Sequence, residues 1–201
     1  MKKLISLLAL MITGSIFLTG CGVTADADTN TLFIGKDGKI TEVSVGDFTG
    51  SNYDIDEFEQ YVKDAIDTYD ASGAAGSVKL KKVQESEGTA KLVMEYSDYN
   101  AYTAFVENDL FLGTVVQGLA AGYDFSADFY AVTEGQTDEK TTEKSDVISH
   151  NDYHVVITDS ITDVSVNGTI CYISGGVTLK DKSTATVTDT AETEVQYIIY
   201  K

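Results

Sequence analysis

Two histidines and an aspartate in one short stretch could bind a transition metal. The stretch is His150-Asn151-Asp152-Tyr153-His154, and it holds both histidines of the chain. Alternate residues of an extended strand share one face, so His150, Asp152 and His154 would lie together. Imidazole and carboxylate groups are ligands that transition metals accept. The pattern predicts a metal site, and the alternative is two exposed histidines at the end of a loop.

A second candidate is an acidic loop that precedes the clearest helical pattern of the chain. Its oxygen-bearing side chains are Asp47, Asn52, Asp54, Asp56 and Glu57. Carboxylate and amide oxygens suit Ca²⁺, although the spacing does not match an EF-hand loop. The loop is therefore a candidate cation site, with capping of the helix as a competing role for Asp54.

A third candidate is a set of aromatic side chains that could line a groove for a sugar or a peptide. Their spacing follows helix and strand periods, which is more typical of core residues. The set comprises Tyr96, Tyr99, Tyr102, Phe105, Tyr123 and Phe125.

No catalytic signature accompanies these candidates. G-x-S-x-G, H-E-x-x-H and Ser-x-x-Lys patterns are absent, and the glycines at 113, 118 and 122 match no phosphate-binding loop. We therefore predict no catalytic residue and no cofactor.

The first 21 residues have the pattern of a secretory signal. Met1-Lys2-Lys3 is basic, residues 4–17 are largely apolar, and the segment closes with Leu18-Thr19-Gly20-Cys21. These last four residues resemble the lipobox of bacterial lipoproteins. The resemblance implies that Cys21 receives a diacylglyceryl group and becomes the N-terminus after cleavage. An ordinary cleaved signal or a short membrane anchor is the alternative.

Three segments of unequal size follow from this interpretation. Residues 1–20 are a lipoprotein signal peptide, residues 21–30 are the lipidated cysteine and a tether, and residues 31–201 are one extracytoplasmic domain. The nine residues after Cys21 reach at most about 30 Å, so the domain is held close to the membrane. Cys171 then has no disulfide partner, and its strand-like surroundings predict a small buried core residue.

The charge of the chain argues against anionic partners. Its 201 residues include 14 basic and 32 acidic ones, giving −18, and removal of Lys2 and Lys3 with the signal leaves −20. Such a surface repels nucleic acid and attracts cations and basic partners, although solubility at an anionic cell surface also explains it. Every basic residue is lysine.

Hydrophobic periodicity predicts one long helix and several hairpins. A helix over 55–69 follows from apolar residues at steps of three and four after the N-cap candidate Asp54. Strands 31–34 and 39–45 form one hairpin, and strands beginning at Val78 and Ala90 form another around Glu87-Gly88.

The second half of the chain predicts two short helices and further strands. One helix follows Asp98 and the other follows Thr114, with Gly122 after its end. Segment 125–132 returns to the sheet, and the polar segment 133–145 is an exposed loop. Five more strands are predicted, with Asn167-Gly168 as a hairpin turn. They span residues 153–158, 162–166, 169–173, 185–188 and 194–200.

Together these elements predict an α+β domain with one main, mostly antiparallel sheet and the three helices on one of its faces. Four segments also resemble a family of small lipoproteins of Gram-positive, gut-type bacteria, and the likeness covers nearly the whole mature chain. They are TLFIGKDGKI (31–40), FLGTV (111–115), AGYDF (121–125) and ICYIS (170–174). The resemblance implies a location at the cell membrane and no particular activity.

The function expected from the sequence is that of a membrane-anchored, non-enzymatic binding or interaction module outside the cytoplasm. Its partners are the membrane, through the lipid on Cys21, and an unidentified protein or glycan, with cation binding as a possible addition and no nucleic acid. The alternatives are a cell-envelope hydrolase that uses carboxylates and an accessory lipoprotein that captures a solute.

Overall fold

The computed structural model describes residues 27–188 and 195–201. Within these ranges, thirteen strands and four α-helices form a mainly antiparallel α+β fold, which confirms the predicted class. The signal segment, Cys21 and Glu194 lie outside the described residues. No helix in the described ranges has the length and apolar character needed to cross a bilayer.

The elements alternate along the chain as hairpins and short helices. The strands are β1 (Thr31–Ile34), β2 (Ile40–Asp47), β3 (Val78–Ser86), β4 (Thr89–Tyr96), β5 (Leu110–Thr114), β6 (Phe129–Thr133), β7 (Gln136–Thr142), β8 (His154–Thr158), β9 (Asp163–Val166), β10 (Ile170–Ser174), β11 (Val177–Leu179), β12 (Thr184–Val187) and β13 (Gln196–Tyr200). The helices are α1 (Ile55–Tyr69), α2 (Tyr99–Val106), α3 (Val115–Ala120) and α4 (Lys144–Ser149).

The strands belong to two sheets, which corrects the expectation of one main sheet. The first, sheet A, has the order β11-β12-β9-β1-β2-β4-β3, and the second, sheet B, has the order β5-β8-β13-β10-β6-β7. Strand β1 pairs in parallel with β9 and antiparallel with β2. Alternating hydrophobicity reports that a residue faces a core but not which strands share a sheet, so the division was not visible in the sequence.

The main core lies between the two sheets. It joins Leu32 and Ile40 of sheet A to Ile173 and Ile198 of sheet B, and Val62 of α1 is buried in it. Helix α2 contacts β5 of sheet B as well as β3 and β4 of sheet A, and it contributes the buried Tyr102.

The strands β8 and β13 of sheet B are also buried on the face opposite the main core. Val155 and Ile199 belong to a second cluster with Val115 of α3 and Val147 of α4. Their chain neighbours Val156 and Ile198 belong to the first cluster, as strand alternation requires. The helices are thus divided between two faces instead of sharing one.

The long helix begins and ends at the residues that the sequence indicates. An Asp54 side-chain oxygen accepts hydrogen bonds from the backbone N–H groups of Asp56 and Glu57, at 2.9 and 3.1 Å. These bonds satisfy two of the four free N–H groups at the helix start. A wider turn at Asp70–Ala74 follows α1, and Gly73 adopts a φ of 104° there.

Two sequence predictions about loops are wrong. Segment 133–145 is not a loop, since it contains the end of β6, all of β7 and the start of α4. Strand β7 is exposed along nearly its whole length, so no apolar alternation marks it.

Asn167-Gly168 does not form a hairpin, because β9 belongs to sheet A and β10 to sheet B. A Cβ atom on Gly168 would lie 2.6 Å from the Lys201 carbonyl oxygen. The glycine therefore allows the C-terminus to pack here, where Thr169 and Lys201 exchange backbone hydrogen bonds of 2.7 and 3.0 Å.

Residues 27–30 are attached to sheet A just before β1 begins. Ala27 packs on Phe33, Val43 and Val93, on the face of sheet A opposite the main core. The side-chain oxygen of Asn30 accepts a 2.7 Å hydrogen bond from the backbone of Val45. The last four residues of the predicted tether are thereby held against the sheet.

Candidate functional site

A groove lies between the start of α1, the end of β2 and the first half of β4. We call it the α1 groove; its volume is about 580 Å³. It is lined by Asn30, Ser44, Val45, Gly46, Asp47, Phe48, Asn52, Tyr53, Asp54, Glu57, Phe58, Ala90 and Leu92.

The loop that carries the groove is held by backbone contacts. The Phe48 N–H donates a 2.7 Å hydrogen bond to the Gly88 carbonyl in the turn between β3 and β4. A Cβ atom on Gly50 would lie 2.8 Å from the Tyr53 ring, so glycine allows the ring to fold back on the loop.

Three aromatic rings give the groove an apolar wall. The ring centroid of Phe48 lies 5.1 Å from that of Tyr53 and 6.1 Å from that of Phe58. Phe58 also packs against the main core, which anchors this wall to the body of the domain. Tyr53 is 60% exposed, so one ring of the wall remains open to a ligand.

Among the described residues, three carboxylates and no basic side chain line the groove. One oxygen of Asp47 accepts hydrogen bonds from the N–H and hydroxyl of Thr49. Asp54 uses one oxygen to cap α1. The Glu57 carboxylate has no hydrogen bond or ion pair with another residue in the described ranges. Each carboxylate keeps at least one oxygen for a ligand.

The structure brings together only part of the predicted cation loop. Asp47, Asn52, Asp54 and Glu57 line the groove, whereas Asp56 does not. Within residues 27–188 and 195–201, no three His, Cys, Asp or Glu side chains form a group that could hold a metal ion.

The geometric premise of the histidine site is wrong. His150 directly follows α4, and residues 151–153 turn before β8 starts at His154. His150 stacks on Tyr153 with ring centroids 4.5 Å apart, while His154 stacks on Tyr200 at 5.3 Å. Since a turn interrupts the stretch, His150, Asp152 and His154 do not share a strand face.

Most of the aromatic candidates belong to the core, as the spacing suggested. Tyr96, Tyr102 and Phe125 are at most 2% exposed. The Tyr96 hydroxyl donates a 2.6 Å hydrogen bond to Glu42. The pKa of Tyr96 is raised, and burial is the main cause. Among the described residues, the exposed aromatic side chains are Tyr53, which lines the α1 groove, and Tyr61 on α1.

Cys171 is half-buried, less than the core position expected for it. A register shift in β10 lies between Ile170 and Tyr172, and the thiol donates to the Thr169 carbonyl at 3.3 Å. Partial burial raises the pKa of this thiol. The thiolate, which is the reactive form, is therefore disfavoured.

Sequence reasoning did not single out Asp163, a carboxylate that is only 6% exposed. It accepts hydrogen bonds from Lys180 at 2.5 Å, Thr186 at 2.5 Å and Thr29 at 2.7 Å. Burial favours a higher pKa, but these three bonds outweigh it and lower the pKa of Asp163. No local pattern marks this residue, because its partners come from three distant segments.

Comparison of the chain with models of protein families, with curated proteins and with solved structures gives no match.

Proposed function

We propose that this protein is a lipid-anchored, extracytoplasmic binding module that captures its ligand in the α1 groove. The observation that carries the binding part is the groove itself. It combines an aromatic wall, an exposed tyrosine and three carboxylates with free oxygens in one concave surface. A concave surface that is mostly apolar, with a few polar groups that converge on it, is the usual form of a ligand site.

The anchoring part is supported by the sequence of residues 1–21. A basic start, an apolar stretch and Leu18-Thr19-Gly20-Cys21 together indicate export followed by lipid attachment. Two ester-linked acyl chains with the thioether on Cys21 would give stable membrane binding, which one chain does not.

The position of residues 27–30 supports a location close to the bilayer. Because Ala27 packs on sheet A, only residues 22–26 separate the attached segment from Cys21. Six steps of extended chain reach at most about 20 Å. Asn30 lines the groove, so the proposed ligand site is near the point where the tether joins the domain.

Mass spectrometry of the protein from a bacterial host that processes lipoproteins tests the anchor. We expect the mature chain to begin at Cys21, to carry a diacylglyceryl group and to sediment with membranes. Cys21→Ser should remove the lipid and release the protein from membranes. Cys171→Ser is the matched control and should change neither property. An N-terminus elsewhere, or lipid on neither cysteine, would contradict the anchor.

Calorimetry with a panel of three ligand classes tests the binding module. The panel consists of a lysine–serine octapeptide, a glutamate–serine octapeptide and a neutral oligosaccharide of N-acetylglucosamine. Binding by at least one class, weakened by Tyr53→Ala, supports the proposal. If none of the three binds, or if Tyr53→Ala has no effect on any of them, the groove is not the binding surface.

A further inference from the structure

We infer that the α1 groove binds a basic peptide segment, with a lysine or arginine side chain of a partner protein inserted between the aromatic wall and the carboxylates. The inference rests on the proposed binding function and names the ligand class for that same groove.

The charge of the groove matches a cation. In the part of the chain that the structure describes, its lining contains Asp47, Asp54 and Glu57 and no lysine. A second cavity, of about 530 Å³, is lined by Lys82 and Lys91. Lysines are therefore present near this end of sheet A, but none in the described ranges lines the α1 groove.

The free oxygens of the groove can accept hydrogen bonds from the donors that a basic side chain carries. Asp47 and Asp54 each use one oxygen on the protein's own backbone or hydroxyl groups, and Glu57 uses neither. A lysine ammonium group carries three N–H donors and an arginine guanidinium group carries five. Hydrogen bonds between such donors and carboxylates are about twice as strong as neutral ones.

The aromatic wall suits the rest of a basic side chain. The methylene stem of lysine or arginine can lie along the Phe48, Tyr53 and Phe58 rings while its charged end reaches the carboxylates. A cation over an aromatic ring adds about 0.5–1 kcal/mol at an exposed site. A hydrated metal ion has no methylene stem to pack along this wall.

A second exposed tyrosine extends the surface beyond the groove. Tyr61 is 72% exposed, and it lies on α1 one turn beyond Glu57. Glu57 and Tyr61 are four residues apart on α1 and follow one stripe of the helix, and Tyr53 lies just before the helix begins. Tyrosine is enriched in protein–protein interfaces, and this stripe can support the peptide on either side of the inserted residue.

Matched charge variants of the chain test the inference. The probe is the acetylated and amidated lysine–serine octapeptide. It is titrated into the protein as the host produces it, whether or not that protein carries the lipid. The groove variant Asp47→Asn/Glu57→Gln and the control variant Asp138→Asn/Glu139→Gln remove the same charges. Both control residues are exposed on β7. We expect the groove variant to weaken binding about tenfold and the control variant less than about threefold.

Circular dichroism and thermal melting of both variants confirm that each is folded. Equal weakening by the two variants would show diffuse attraction to an acidic protein and would overturn the inference. Failure of the lysine peptide alone, with the oligosaccharide bound in a Tyr53-dependent way, would overturn the inference and leave the binding function intact. Failure of the whole panel would overturn both.

Discussion

Asp163 shows how one buried carboxylate joins three segments of the chain. Thr29 belongs to the segment before β1, Thr186 lies on β12, and Lys180 follows β11. Three hydrogen bonds offset the cost of burying the carboxylate, and Lys180, which is 47% exposed, neutralises its charge. The contact holds the end of the tether to the centre of sheet A.

Asp163→Asn should lower the free energy of unfolding at pH 7 by about 1–3 kcal/mol. A lowered folded-state pKa means that Asp163 contributes its stability above the ordinary pKa of an aspartate, which is about 4. This contribution is lost as the pH falls through the folded-state pKa. Urea unfolding at several pH values should therefore show the wild-type advantage shrinking below about pH 4.

The matched control for this prediction is Asp138→Asn on the exposed strand β7. It should change stability by less than about 0.5 kcal/mol. An advantage of the wild type over Asp163→Asn that grows on acidification would contradict the account of Asp163.

At the scale of elements, α1 was predictable because local chemistry determines it. The 3.6-residue period and the Asp54 cap both depend on residues that are close in the sequence. The helix begins and ends as they indicate. The hairpin between β3 and β4 was predictable for the same reason, with Glu87 and Gly88 both at positive φ.

Elements determined by distant contacts were not predictable. Strand β7 is exposed, so its formation depends on pairing with β6 and not on apolar alternation. Asn167-Gly168 resembles a hairpin turn locally, but β9 and β10 pair in different sheets and the C-terminus packs against Gly168. For the same reason, the acidic loop and its neighbouring Phe48 and Tyr53 rings were visible in the sequence, whereas their meeting with Asn30, Ala90 and Leu92 in one groove required the fold.

Two substitutions of Asp54 separate its role in α1 from its role in the groove. Asp54→Ala removes the cap and should cost about 1 kcal/mol of stability, measured by urea unfolding. Asp54→Asn retains a good cap and should leave stability within about 0.5 kcal/mol of the wild type, while it weakens binding of the lysine peptide. Loss of stability without loss of peptide affinity in Asp54→Asn would contradict the groove role.

At the scale of the whole molecule, strands β8 and β13 of sheet B lie at the centre of the fold, since both of their faces are buried. Ile198 faces the core shared with sheet A, and Ile199 faces the cluster under α3 and α4. If one face of these strands were solvated, truncating the side chain at one of two adjacent positions would cost little stability.

Ile198→Ala and Ile199→Ala should each lower the free energy of unfolding by about 2–5 kcal/mol, because each leaves a cavity in a closed core. Thr137→Ala on β7 is the control, with an expected change below about 0.5 kcal/mol. Urea unfolding measures all three. A small effect at either isoleucine would mean that one face of sheet B is open to solvent.

The tether and the groove lie at one end of this two-sheet body. Asn30 contacts β2 and lines the groove, and β1 enters the middle of sheet A between β2 and β9. In the proposed arrangement, the sheets provide a rigid body, the lipid on Cys21 fixes its height above the bilayer, and the groove receives a basic segment near the membrane surface.

The most direct test of this account is NMR mapping of the lysine–serine octapeptide onto the isotope-labelled protein. We predict that the backbone amide signals of residues 47–61 shift on titration, while those of β7 do not. We also predict that the shifts are lost in Asp47→Asn/Glu57→Gln and kept in Asp138→Asn/Glu139→Gln. Shifts spread over the acidic surface, or centred away from α1, would contradict the assignment of the groove as the binding site.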